Sequence, residues 1–140
     1  MEGSPLDFSF SGLKTAVRNA AHNADQRGET LDRAGLAASF CEAVADILVP
    51  RAVEGARLCG RKKLCAAGGV AANSVLRARL RREAEAAGIE LYLPPVKLCG
   101  DNGAMIAAQG YYEYLAGTRA SSTLNARATL PIGTGYSEGR

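Results

Sequence analysis

The chain has 140 residues, 47% hydrophobic and 22% charged, with a formal net charge of +3, the make-up of one ordinary globular domain rather than a disordered or strongly nucleic-acid-like chain. No apolar run is long enough to span a bilayer, and Met1-Glu2-Gly3-Ser4-Pro5 lacks the basic-then-apolar order of a secretory leader, so the expectation is a cytoplasmic protein without membrane association. Cys41, Cys59, Cys65 and Cys99 form no C-x-x-C pair, and Cys41 and Cys65 fall in apolar periodic segments, which favours buried free thiols; the lone His22 is too little to hold an ion.

In chain order, Asp7-Phe8-Ser9-Phe10-Ser11 alternates polar and aromatic residues, the pattern of a short strand, and Gly12 separates it from a helix over about Leu13 to His22. Asn23 to Gly28 reads as a polar loop. Thr30 is the expected N-cap of a long amphipathic helix reaching about Leu58, because Leu36, Phe40, Val44, Ile47 and Leu48 recur at three- and four-residue spacing. Pro50 lacks the N–H that would bond the Asp46 carbonyl, which predicts a kink or a break. Lys63 to Ala67 has the apolar character of a buried parallel strand and ends at Gly68-Gly69. A helix from about Ala71 to Ala87 follows, with Leu76, Leu80 and Ala84 on its buried side and Gly88 in the left-handed position beyond it. Ile89 to Leu93 is the next strand, closed by Pro94-Pro95, and a last helix runs from about Asn102 to Leu115. Residues 118–140 read as an extended, partly disordered tail docked at best through Leu130 and Ile132, leaving 1–117 as the folded lobe. Strand–helix alternation in the second half predicts an α/β fold with a mostly parallel sheet flanked by helices.

Two segments, Ala66 to Asn73 and Leu98 to Ala107, place glycines where a strand hands over to a helix. Free backbone N–H groups and a positive helix end then meet at one spot beyond the carboxyl ends of the strands, which suits a nucleotide. Gly68 and Gly69 fit equally a close approach of phosphate or sugar and a tight turn needing positive φ. The Asn73 carboxamide suits a ribose hydroxyl or an acyl group, or serves as a late helix cap. Asp101 is a candidate ligand for a divalent cation, although a carboxylate at a helix start is more often a cap, and one carboxylate is too few ligands. Lys14, with Ser9, Ser11 and Gly12, makes a polar cluster suited to an anionic group, without a G-x-x-x-x-G-K-[ST] loop. Between Arg57 and Arg82 every charged residue is basic, which suits either a phosphate backbone or, in the absence of interleaved aromatics, a solvated face. Gly133 to Gly139 has the wrong spacing for a dinucleotide fingerprint.

Taken together, Phe8-Ser9-Phe10-Ser11-Gly12-Leu13-Lys14-Thr15, Ala67-Gly68-Gly69-Val70-Ala71-Ala72-Asn73 and Asp101-Asn102-Gly103-Ala104-Met105-Ile106-Ala107 resemble the C-terminal part of the tRNA threonylcarbamoyltransferase family, once described as O-sialoglycoprotein endopeptidases. The resemblance runs from about Leu6 to about Pro131. It implies the actin-like ATPase fold shared with Hsp70 and sugar kinases, of which this chain is most of the second lobe. It also implies transfer of threonylcarbamoyl from threonylcarbamoyl-adenylate to N6 of the tRNA adenosine 3′ of the anticodon, with release of AMP.

Carried over by motif, Asn73 contacts the adenylate, Gly68 and Gly69 let it approach, and Asp101 is one ligand of a divalent metal, iron or zinc; Ser11 and Lys14, from their polar cluster, are further candidates for the substrate or nucleotide site. No residue is assigned a catalytic role. The implied partners are tRNA, a non-catalytic paralogue and the small ATPase of the threonylcarbamoyladenosine complex. The family's H-x-x-x-H metal pair belongs to the first lobe and has no counterpart in this sequence. The expectation is therefore a piece of a transferase, or half of a split one, with an incomplete metal site, silent until joined by the missing N-terminal lobe. The alternatives are a non-catalytic nucleotide-binding or dimerising lobe and a kinase of the same fold superfamily. With tRNA as substrate, the Arg57 to Arg82 block gains weight as a tRNA-facing surface, with Arg77 and Arg81 as its test positions.

Overall fold

The computed structural model describes residues 6–126 and Thr129, in two compact units, Met1–Asp101 and Asn102–Arg140. The first contains α1 (Ser11–Gln26), α2 (Arg33–Leu58), β1 (Lys63–Cys65), a 3-10 turn at Gly69–Ala72, α3 (Ser74–Ala86), β2 (Glu90–Tyr92) and a second 3-10 turn at Val96–Leu98. The second contains α4 (Gly103–Leu115), capped by Asn102, whose Oδ1 accepts from the Met105 N–H at 3.0 Å.

As the alternation implies, β1 and β2 are parallel, with Lys63 opposite Glu90, Leu64 opposite Leu91 and Cys65 opposite Tyr92. The period-two side-chain alternation turns Leu64 and Leu91 toward the helices and leaves Lys63, Cys65, Glu90 and Tyr92 exposed. The core forms between α2 and α3. Ala45 and Val49 of α2 meet Leu76 and Leu80 of α3, with Leu64 and Leu91 packed against them, and Ala56, Ala84 and Ile89 continue it toward the far end. Small side chains at Ala45 and Ala84, both fully buried, let the backbones approach closely. Leu76, Leu80 and Ala84 thus occupy the buried face that their spacing predicts. Gly88 (φ 67°) ends α3 in a Schellman motif: Ile89 N–H donates to the Ala84 carbonyl at 2.8 Å and Gly88 N–H to that of Glu85 at 3.0 Å.

Several expectations are corrected. The alternating segment 7–10 is not a strand: the rings of Phe8 and Phe10 lie 5.2 Å apart, and helix starts at Ser11. A strand needs a neighbour to satisfy its backbone, and among the described residues β1 and β2 pair only with each other. The polar stretch from Asn23 to Gln26 is the last turn of α1 rather than a loop. Asp32, not Thr30, caps α2, its carboxylate accepting from the Gly35 N–H at 2.9 Å. Pro50 does not divide α2: it lies on the exposed side, where water can reach the carbonyl left without a donor, and the Arg51 guanidinium donates to the neighbouring Ile47 carbonyl at 3.2 Å. All four thiols are free, but Cys65 is exposed and Cys41 half-buried, while Cys99 is the buried one. Leu130, Ile132 and the Gly133 to Gly139 segment lie outside the described residues.

Candidate functional site

The β1–α3 junction is built around Gly68, whose φ of 90° and ψ of 172° are out of reach for an L side chain. Gly69 differs: its φ is ordinary, and a Cβ built there would meet nothing within 4 Å. Neither the turn nor crowding within the chain calls for glycine at 69. What its missing side chain leaves open is the approach to the head of the Gly69–Ala72 turn, where N–H groups have no acceptor inside the turn.

The helix expected from Ala71 is in fact two pieces, which puts Asn73 at the N-cap of α3 rather than one turn inside it. Its Oδ1 accepts from the Leu76 N–H at 3.0 Å and its Nδ2 donates to Cys41 Sγ at 3.2 Å. The carboxamide therefore ties α3 to α2.

At the second junction β2 runs through Pro94-Pro95 into the Val96–Leu98 turn and on to Asp101, which is exposed. The cap at this helix start is Asn102, so Asp101 has no capping role. The two 3-10 turns pack side by side, and Arg77 joins them. Its guanidinium donates to the Ala71 carbonyl at 2.8 Å and the Pro94 carbonyl at 2.9 Å and reaches Cys99 Sγ at 3.7 Å. Arg77 is 9% exposed, which corrects its place in the basic surface: it cannot face tRNA. The signal was present in the sequence, since Arg77 stands three residues before Leu80 and seven before Ala84, in phase with the buried face.

The rest of the basic block is partly neutralised. Arg79 pairs with Glu42 and Asp46 of α2, and the hydrogen bond to Asp46, with a smaller opposing effect of burial, holds its guanidinium above the ordinary value. Arg82 pairs with Glu83 and Lys63 with Glu90; Glu90 also accepts from the Tyr92 hydroxyl, raising the phenol above its usual 10.0. Arg57, Arg61, Lys62 and Arg81 are exposed.

At the start of α1, Ser9 Oγ accepts from the Ser11 N–H at 3.3 Å and the Ser11 carbonyl from Thr15 Oγ1 at 3.0 Å. Lys14 lines a groove of about 760 Å³ between α1 and α2, with Val17, Leu36, Phe40 and Cys41. Cys41 is thus shared: it lines this groove and its Sγ accepts from Asn73 Nδ2. Ser11 and Asp101 are outside the groove lining. Among the described residues no three His, Cys, Asp or Glu side chains gather to hold a metal, and His22 is exposed on α1. These residues do not make a metal site by themselves, and Asp101 offers one carboxylate.

Residues 1–108 match the family model described as TsaD: tRNA N6-adenosine threonylcarbamoyltransferase. The chain belongs to this family. All six candidate residues, Ser11, Lys14, Gly68, Gly69, Asn73 and Asp101, fall inside the matched region. Relatives include the tRNA N6-adenosine threonylcarbamoyltransferases of Bacillus cereus, 53% identical over 133 residues, of Geobacillus thermodenitrificans, 49% identical over 133 residues, and of Moorella thermoacetica, 48% identical over 132 residues. Each match covers 94% of this chain but 39% of the relative, so the chain spans about two fifths of the length of the TsaD relatives it matches. The TsaD family has the actin-like ATPase fold and is metal-dependent; the parallel strand pair beneath α2 and α3 is the α/β element of that fold present in this chain.

Proposed function

We propose that this chain is the nucleotide-facing part of a transferase that moves threonylcarbamoyl from threonylcarbamoyl-adenylate to N6 of the tRNA adenosine 3′ of the anticodon, working in the cytoplasm once joined by the N-terminal part it lacks. The observation that carries the reading is Gly69, a glycine with ordinary φ and open space above it, heading a strand-to-helix turn inside the family-matched segment. The open backbone at Gly68-Gly69 admits the adenylate, whose negative charge suits the N–H groups at the turn and the positive end of α3. Asn73 flanks that approach. Lys14 and Ser11 supply a second polar edge at the start of α1. Asp101 supplies one carboxylate to a divalent metal, iron or zinc, whose other ligands come from the absent part. The bound metal would polarise the acyl carbonyl. Arg57, Arg61, Lys62 and Arg81 offer phosphate contacts to tRNA, and the paralogue and small ATPase of the threonylcarbamoyladenosine complex are the remaining partners. Among the described residues no helix is long and apolar enough to cross a membrane.

The second reading, a non-catalytic lobe that binds nucleotide or dimerises, draws on Asn73: both ends of its carboxamide are already engaged within the chain. The kinase alternative has nothing in its favour beyond the shared fold.

Mass spectrometry of tRNA nucleosides from transferase-depleted cells separates the two readings. The transferase reading expects threonylcarbamoyladenosine to return when the chain is expressed with an N-terminal part carrying the H-x-x-x-H pair, and not with the chain alone. Failure to return despite confirmed assembly leaves the binding-lobe reading.

A further inference from the structure

Arg77 is the one buried charged residue among those described, and its surroundings are unusual for a buried cation. The partners of its guanidinium are neutral: the carbonyls of Ala71 and Pro94 and the sulfur of Cys99. A guanidinium stays charged in a protein and is normally buried against a carboxylate. Its neighbours on the same helix face, Leu76 and Leu80, are apolar, so an apolar side chain would suit packing at this position. What an apolar side chain cannot do is hold two carbonyls at once. Ala71 lies in the turn after β1, and Pro94 and Cys99 flank the turn after β2. The planar fork of Arg77 thus spans the two irregular segments that leave the carboxyl ends of the two parallel strands, where ligands of open α/β sheets sit.

We infer that Arg77 is a positioning residue: it locks the Gly68–Asn73 junction to the Pro94–Asp101 segment, so that the open glycine backbone and the Asp101 carboxylate keep one fixed relation. The inference rests on the nucleotide-handling reading of these junctions for its purpose, though not for its geometry. Lysine keeps the charge but ends in one tetrahedral nitrogen on a shorter side chain, so it lacks the planar fork by which Arg77 meets the two carbonyls from separate nitrogens. Methionine keeps the bulk and loses every donor.

The test is amide hydrogen exchange on this chain, comparing the parent with Arg77→Lys and Arg77→Met. In Arg77→Lys the amides of Gly69–Ala72 and Val96–Cys99 should exchange at least about tenfold faster, while those of Val49 and Leu80 in the α2–α3 core stay within about twofold; tenfold corresponds to a local opening easier by about 1.4 kcal/mol. Arg77→Met should show the same selectivity, and if it does not fold, Arg77→Lys still decides. Uniform acceleration across the chain, or unchanged exchange in the two turns, overturns the inference. A second arm adds AMP. In the parent, AMP should slow exchange at both turns; in Arg77→Lys it should still slow Gly69–Ala72 but no longer Val96–Cys99. Equal protection of both turns in parent and variant also overturns the inference. If AMP protects neither turn in the parent, the nucleotide reading fails in this chain while the first arm continues to judge the lock.

Discussion

Gly68 and Gly69 stand side by side for different physical reasons, and that difference can be measured. Gly68 has φ 90°, so Gly68→Ala strains the backbone and should cost about 1–2 kcal/mol of stability. Gly69 has ordinary φ and nothing within 4 Å of an added Cβ, so Gly69→Ala should leave stability within about 0.5 kcal/mol of the parent. If adenylate approaches over this residue, the added methyl should nonetheless weaken AMP binding by tenfold or more. Urea unfolding and calorimetric titration of the same two variants check this, and a Gly69→Ala protein that binds AMP like the parent removes Gly69 from the site. Asn73 is testable on the same footing. Asn73→Ala removes the cap and should cost about 1 kcal/mol, whereas Asn73→Asp keeps the acceptor for the Leu76 N–H, loses the donor to Cys41 and adds a negative charge. Stability retained in Asn73→Asp, together with AMP affinity lost in the neutral Asn73→Ala as well as in Asn73→Asp, would assign the carboxamide to ligand; loss of stability in both variants with AMP affinity kept in Asn73→Ala would assign it to structure. None of this division was legible in the sequence. A pair of glycines reads the same whether the cause is φ or approach, and Asn73 reads as a mid-helix residue until a 3-10 turn is seen to precede it.

At the scale of elements, legibility followed local causes. The α3 segment was readable because Leu76, Leu80 and Ala84 mark its buried face and Gly88 its end, all within one stretch of chain. The strand pattern of Asp7 to Phe10 misled because a strand is completed by a partner elsewhere, which alternation cannot reveal. Pro50 misled in the opposite direction: the rule that proline breaks helices is a cost, and α2 offsets it by packing Ala45, Val49 and Ala56 on either side of the interruption. That cost should be recoverable. Pro50→Ala restores an N–H donor to the Asp46 carbonyl at an exposed position, and should stabilise the chain by about 1–3 kcal/mol. The expected observation is a higher urea midpoint with an unchanged slope; a lower midpoint would mean that the proline conformation is required by the packing of α2.

The chain spans about two fifths of the length of the relatives it matches, and its surface carries apolar side chains that a finished domain would be expected to cover. Val70 is 63% exposed and Val96 58%, both on the 3-10 turns, and Phe8 is 50% exposed ahead of α1. The sheet has two strands of three residues each, shorter than strands usually run and too few for a sheet stable on its own. Each strand has one neighbour among the described residues, so each presents a free edge of backbone donors and acceptors. Asp7 to Phe10 has the side-chain alternation of a strand but pairs with neither β1 nor β2 among the described residues, and the part of the relatives that this chain does not span is the natural source of a partner. Assembly with that part, taken from a TsaD relative such as the Bacillus cereus protein, should therefore slow amide exchange at Phe8, Ser9 and Phe10 by tenfold or more, since a paired strand protects backbone that a coil leaves to water. Protection confined to α2 and α3 would show that assembly only tightens the existing core. Protection of Phe8 to Phe10 would show that the alternating pattern was a correct reading of a strand whose partner lies outside this chain.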